Sequence, residues 1–254
     1  TSFNIGMDNR GLLYAGDGWH ALTWMDAIVH GRPVTPRHGI PVEINALWYN
    51  ALSFYAELAQ RFEEPPLFPE DLLARLRKAF KETFWIEEEG YLGDVYCDGV
   101  LDRTIRPNQI LAVSLPFSPL EPYQWKGIVS CTRNHLLTPV GLRTLSAEDW
   151  NYQGIYEGDQ PTRDRAYHQG TVWPWLLAHY GEACLRIAEN PAETKQYLLS
   201  LIRNFMERHI GEAGLGCVSE VFDGNPPHRP GGCIAQAWST AGLIQLYLRL
   251  HNAA

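Results

Sequence analysis

The groups in this sequence best suited to chemistry are carboxylates set among aromatic and apolar residues. Residues 23–52, TWMDAIVHGRPVTPRHGIPVEINALWYNAL, hold Asp26 and Glu43, an Arg37-His38 pair and a Trp48-Tyr49 pair. Further on, SAEDWNYQGIYEGDQ carries Asp149, Glu157 and Asp159, and CVSEVFDGNPPH carries Glu220 and Asp223. Cleaving a glycosidic bond takes two carboxyl groups. One protonates the leaving oxygen, and the other activates water or attacks directly. Flat rings cover sugar faces, and fixed polar groups bind hydroxyls.

Asp26 and Glu220 are the pair the sequence favours. Each is bracketed by apolar residues, Trp24 and Met25 for one, Val218, Val221 and Phe222 for the other. Such a bracket in a cleft raises a carboxyl pKa, as a general acid requires. They lie 220 − 26 = 194 positions apart, so only the fold can bring them together. Taken singly, either is also explained as a helix cap or an ion-pair partner. Glu43 has a plainer reading at a helix N-terminus, where it favours the dipole. With Asn45, Trp48 and Tyr49 it also suits hydroxyl binding at a rim. HQGTVWPW couples His168, Gln169, Trp173 and Trp175 to a helix starting near Pro174. The two Trp cannot point the same way, so one packs and the other is free to stack on sugar.

The elements that must position these groups read as follows. Residues 1–42 are rich in Gly, Pro, Asp and Asn and predict loop, with a short extended or helical piece near Leu22–Ile28. Apolar spacing predicts helices over 42–62 and 70–84, separated by Pro65, Pro66 and Pro69. GYLGDVYCDG (90–99) reads as a loop or short hairpin, and a short helix follows Pro107 within 106–116. Further helices are expected over 121–137, 174–189, 192–209 and 232–252. Residues 146–174 form a long polar-aromatic insertion, and long loops in compact domains usually carry function. Helices alternating with long loops suit a toroid of helix hairpins with the site on one rim. No repeat of solenoid length is present.

The 254 residues suit one large domain. A net charge of −8 and the lack of a basic run argue against nucleic acid or an anionic membrane as partner. No stretch approaches the roughly 20 apolar residues of a membrane span. Five scattered Cys without CxxC predict neither a disulfide framework nor a zinc ribbon, and suit a reducing cytoplasm. GxSxG, GxxxxGK[ST] and HExxH are absent, so no metal and no cofactor is expected. DGVLD (98–102) has too few acids for a calcium site. The opening at Thr1, directly in functional-looking loop, predicts the C-terminal part of something longer.

LTWMDA (22–27), VTPRHGIPVEINALWYNAL (34–52), YHQGTVWPW (167–175) and SEVFDGNPPHRPGGCIAQAWS (219–239) together resemble the C-terminal amylo-α-1,6-glucosidase domain of glycogen debranching enzymes. The blocks occur in the family's order. The resemblance implies an all-α, (α/α)6 toroid of twelve helices, with residues 1–254 as the C-terminal part of one catalytic domain. It implies inverting removal of α-1,6-linked glucosyl stubs from glycogen or a branched α-glucan. Asp26 takes the place of the general acid and Glu220 that of the general base. Trp24, Arg37, His38, Glu43, Asn45, Trp48, Tyr49, His168, Gln169, Trp173 and Trp238 are then expected to line the sugar site. Two departures stand out. Ile40 replaces a Lys of the pattern, so no hydroxyl contact is expected there. About seven helices are readable and the Asn-Thr-x-Asp block of the family is missing. An unclosed barrel with an apolar flank follows, to be completed by upstream chain or by self-association. Another toroidal α-glucosidase, glucoamylase-, trehalase- or oligosaccharide-trimming-like, and a non-catalytic glucan-binding remnant are the competing readings.

Overall fold

A computed structural model describes residues 2–252. The chain divides into two compact units. One runs to Thr104 and resumes over Asn108–Ile128; the other holds Ile105–Pro107 and continues from Val129.

The first unit opens with small hairpins, Gly6–Met7 with Leu13–Tyr14 and Ile28–Val29 with Arg32–Pro33. Residues 22–27 are irregular, so of the piece expected there only its end at Ile28 is extended. Ile40–Pro41 pairs with Val95–Cys97, which pairs in turn with Val100–Leu101. That ladder delivers the chain into helix α1, Val42–Arg61. Pro41 starts the helix with a fixed φ of −78°. Helix α2, Leu72–Phe84, buries Leu72, Leu76, Ala79, Phe80 and Phe84, and the period-3.6 spacing of those residues is why it forms. A 3-10 turn, Pro107–Ile110, leads into the short α3, Leu111–Ser114, and α1 packs against α2 and α3.

Helix α4, Pro122–His135, carries the chain onward. The second unit is built on a five-stranded antiparallel sheet in the order Leu137–Thr138, Gly141–Arg143, Val172–Trp173, Val221–Phe222, Pro230–Gly231. Its helices are α5 (Gln160–Ala166), α6 (Leu176–Arg186), α7 (Pro191–His209) and α8 (Ala237–Asn252). Asn190 caps α7 by accepting the Glu193 N–H, and Pro191 fills the first turn. Val140, Val172, Leu177, Phe205, Val218, Phe222 and Leu243 form the core between sheet and helices. Gly181 lets α6 approach α8, because a Cβ there would overlap the side chain of Leu246. An apolar groove of about 660 Å³ between α7 and α8 includes Ile202, Met206, Leu243, Ile244 and Tyr247.

The all-α expectation needs correction. Among the described residues only 44% are helical, and fourteen strands of two or three residues form five small sheets. Strands this short carry no readable period of two; the Gly- and Pro-rich linkers simply tighten into hairpins. Inside the expected 146–174 loop lies α5, capped by Asp159, which accepts the Thr162 N–H at 3.0 Å. The last helix begins at Ala237, not near 232, because residues 232–236 form an irregular bend whose Cys233 N–H and Gln236 side chain bind Glu220.

Candidate active site

In the first unit Asp26 is exposed, on a loop whose neighbour Met25 is 1% exposed. The apolar bracket read as a pKa-raising environment therefore points inward while the carboxylate points out. The Trp24 indole N–H donates to Asn108 Oδ1 at 2.7 Å. Asn108 Nδ2 donates to Asp94 Oδ1 at 2.7 Å. Asp94 in turn accepts from Arg37, Nε to Oδ2 at 2.8 Å and Nη2 to Oδ1 at 3.0 Å. The remaining edge of the guanidinium binds Glu43, with Nη2 to Oε2 at 2.6 Å and Nη1 to Oε1. All three charged side chains are 2% exposed. Burial pushes the guanidinium pKa down, but the adjacent Asp94 and Glu43 carboxylates outweigh it and hold it above its ordinary value.

Arg37 and Glu43, expected at the sugar, thus spend their charge inside the protein. Asn45 is equally committed. Its amide donates to the carbonyls of Leu13 and Pro41 at 3.0 and 2.9 Å, and its oxygen accepts the Leu13 N–H at 2.7 Å. The Trp48 indole donates to the Gly11 carbonyl at 3.2 Å. Trp24, His38, Trp48 and Tyr49 remain half-buried, and His38 lies over Gly16 and Gly18. Ile40, where the pattern has Lys, is a buried strand residue.

In the second unit Glu220 is half-buried, while Val218 and Phe222 fill the core beneath it. Its Oε2 accepts the Cys233 backbone N–H at 3.0 Å, its Oε1 accepts Gln236 Nε2 at 3.1 Å, and its own N–H donates to the Cys233 carbonyl at 2.9 Å. Gly232, at φ +68°, is required here, because a Cβ would overlap Glu220 Oε2. Gln236 Oε1 also accepts the Trp238 N–H at 3.5 Å in the first turn of α8.

An aromatic tract accompanies Glu220. The rings of Tyr156 and Tyr167 are 5.6 Å apart, those of Tyr167 and Trp173 5.1 Å. His168 stacks on Trp173 at 5.5 Å, Trp173 meets the edge of Trp238 at 6.4 Å, and Trp238 stacks on Trp175 at 4.7 Å. Trp173 and Trp175 are both packed, at 4% and 8% exposed, so neither is free to stack on sugar, contrary to the sequence expectation; the exposed ring of this tract is Trp238, at 48%. His168 is fully buried; Gln169 accepts Arg106 Nη2 at 2.7 Å, and Arg106 Nη1 donates to the His168 carbonyl at 2.7 Å. Burial raises the Tyr156 pKa, and the nearby Glu220 charge adds to this against a hydrogen bond from Arg163.

The other loop carboxylates have structural duties. Asp149 accepts the Asn151 N–H in a turn. Asp159 caps α5, and the Thr162 hydroxyl and N–H hold its pKa below the ordinary value. Asp223, 2% exposed, accepts the Tyr156 N–H at 2.7 Å and Arg229 Nε at 2.7 Å, while Arg229 Nη2 reaches Glu157 at 3.0 Å. The sequence reading missed Asp94, Arg106, Asn108, Tyr156 and Gln236. A signal existed for Asn108, a polar residue heading the apolar run of RPNQILAV.

A family model described as amylo-alpha-1,6-glucosidase matches residues 1–245. A glycogen debranching enzyme of Saccharomyces cerevisiae is 26% identical over a 300-residue alignment covering 96% of this chain and 20% of that protein. Among solved structures, a GH63 mannosylglycerate hydrolase from Thermus thermophilus in complex with glucose superposes with a TM-score of 0.61 at 17% identity, over 84% of this chain and 46% of the other. A neutral trehalase from Saccharomyces cerevisiae gives 0.63 at 15% identity, over 89% and 40%. The chain therefore spans a fifth of the curated relative and less than half of these solved ones, whose fold it shares.

Proposed function

This chain belongs to the amylo-alpha-1,6-glucosidase family, and on that premise we propose that it hydrolyses α-1,6-linked glucosyl stubs of glycogen-like glucans with inversion. Glu220 removes a proton from water as its oxygen attacks C1 of the glucosyl unit. The C1–O6 bond breaks, its electron pair goes to O6, and Asp26 supplies the proton O6 needs. The products are β-glucose and an unbranched α-1,4 chain. Trp24, His38, Trp48, Tyr49 and Trp238 keep accessible ring surface for sugar, whereas Arg37, Glu43, Asn45, His168 and Gln169 act from within. The observation that carries the reading is the cradle of Glu220: two donors fix the carboxylate beside an aromatic tract.

The proposal includes an (α/α)6 toroid in which further helices of the same domain cover the apolar face of α7 and α8. It takes the cytoplasm as the compartment, which suits five cysteines that form no disulfide. The test is glucose release from a branched limit dextrin, with the anomer followed by NMR. β-Glucose from the wild type and none from Glu220→Gln or Asp26→Asn supports the assignment; α-glucose first, or activity in either variant, rejects it. A second reading, another α-glucosidase of the same fold, rests on the solved neighbours named as mannosylglycerate hydrolase and trehalase. Turnover of α-1,1- or α-1,4-linked substrates alone would select it. Glycogen binding without turnover would select a non-catalytic glucan-binding module.

A further inference from the structure

Asp26 is exposed on an irregular segment, yet leaving-group protonation demands that its carboxyl be held in place. Misplacing a reacting group by about 1 Å costs on the order of 10²-fold in rate. What holds the segment is visible just before Asp26. The Trp24 indole can only donate, and its N–H goes to Asn108 Oδ1 at 2.7 Å. An ionised carboxylate can only accept, so the Asn108 amino group must face Asp94, 2.7 Å away. The orientation of the Asn108 amide is thereby fixed by its two partners. The same Nδ2 lies 3.7 Å from Met25 Sδ. Asn108 is 1% exposed and Asp94 2%. Asp94 is locked by two hydrogen bonds from Arg37, which Glu43 holds from the first turn of α1.

We infer that Asn108, backed by Asp94, is the positioning residue of the acid: it ties Trp24 and Met25 to the buried Arg37–Glu43 pair and so sets where the Asp26 carboxyl stands. The inference rests on the reading of Asp26 as proton donor. It assigns a purpose to buried charge that never meets substrate. The Arg37–Asp94–Glu43 cluster is an anchor, and Asn108 is the link that converts its rigidity into placement of the loop. Neither Asn108 nor Asp94 touches the reacting atoms.

The test compares two glucosyl donors in the full-length protein. An α-1,6-glucoside leaves as an alkoxide and needs the acid; α-glucosyl fluoride leaves as fluoride and does not. Asn108→Leu keeps the branched shape and removes both hydrogen bonds. It is expected to lose about 10²-fold in kcat on the α-1,6-glucoside and to hydrolyse the fluoride nearly as wild type. Asn108→Asp keeps an acceptor for Trp24 but repels Asp94, and is expected to fall in between; it also serves if the Leu variant does not fold. Equal losses on both donors, or no loss on either, overturn the inference. Asp26→Asn is measured alongside. If it does not show the same split between donors, the acid assignment has failed, and the link is then judged by solvent exchange of the Trp24 indole proton. Protection in the wild type that disappears in Asn108→Leu upholds the link; unchanged exchange overturns it.

Discussion

The backbone N–H of Ser219 donates to Nε2 of His209 at 2.9 Å, one residue before Glu220. A backbone N–H cannot accept, so Nε2 carries no proton and the ring proton lies on Nδ1, which faces Glu212 Oε2 at 3.6 Å. His209 and Ser219 are each 1% exposed. The imidazole is packed between Phe205 and Phe222, at 5.4 and 4.6 Å between ring centres. The end of α7 thus holds the strand that presents Glu220. His209→Leu leaves the Ser219 N–H buried without an acceptor, at a cost of about 1–3 kcal/mol. Chemical denaturation should show that loss, and His209→Gln should recover part of it. Equal stability of His209→Leu and wild type would refute the assigned role.

The same unit should weaken in acid. Burial lowers the pKa of His209, with Glu212 opposing, and pushes His179 down from 6.5 to about 4. Both folded pKa values lie below the unfolded value, so the unfolded chain binds protons first as pH falls. Stability is complete above about pH 6.5 and drains as pH drops toward 4. His179 alone contributes at most about 3 kcal/mol over that window, less what residual solvent access screens. Melting temperature against pH should slope upward from 4 to 6.5, and His179→Phe should flatten the slope. An unchanged slope would show that His179 is not the titrating group.

The buried cluster of the first unit makes a sharper prediction. Arg37→Met strands Asp94 and Glu43 without their cation. Breaking a buried pair in this way costs about 3–5 kcal/mol. Arg37→Lys should not restore it, because an ammonium cannot bond both carboxylates along two edges as the guanidinium does. Glu43→Gln, which leaves Arg37 paired with Asp94, should cost less. A ranking by urea midpoint in which Glu43→Gln is the worst of the three would contradict this balance of charges.

Helices with strong punctuation were legible. α1 is bounded by Pro41 and by the Pro65-Pro66-Pro69 break, and α7 by Asn190-Pro191, and both fall within one or two residues of their expected limits. α5 was not, because its seven residues, five of them polar and Ala166 alone buried, show no apolar face; only the Asp159-Gln160-Pro161 cap announced it. The candidate site divides the same way. Trp24, Asp26 and Glu220 stand out by their company in sequence. The duties of Arg37, Glu43 and Asn45 did not, since a polar residue near a helix start looks the same whether it turns outward or inward. Asn108 meets Trp24 across a separation of 84 residues, and no local pattern records a bond of that span.

Gly232 offers the most direct test of the Glu220 cradle. At φ +68° any other residue is strained, by roughly 1–2 kcal/mol. A Cβ would also occupy the space of Glu220 Oε2. Gly232→Ala must therefore either tip the carboxylate off the Cys233 N–H or swing residues 232–236 away, and the second route also loosens Gln236 and the start of α8. Gln236→Leu removes one donor and adds no bulk. If the position of the carboxylate matters for activating water, Gly232→Ala should lose on the order of 10²-fold in glucose release while its melting point falls only by what the strain accounts for. Gln236→Leu should lose less than Gly232→Ala at nearly unchanged stability. Wild-type glucose release from Gly232→Ala would mean that the observed cradle is not the working geometry of Glu220.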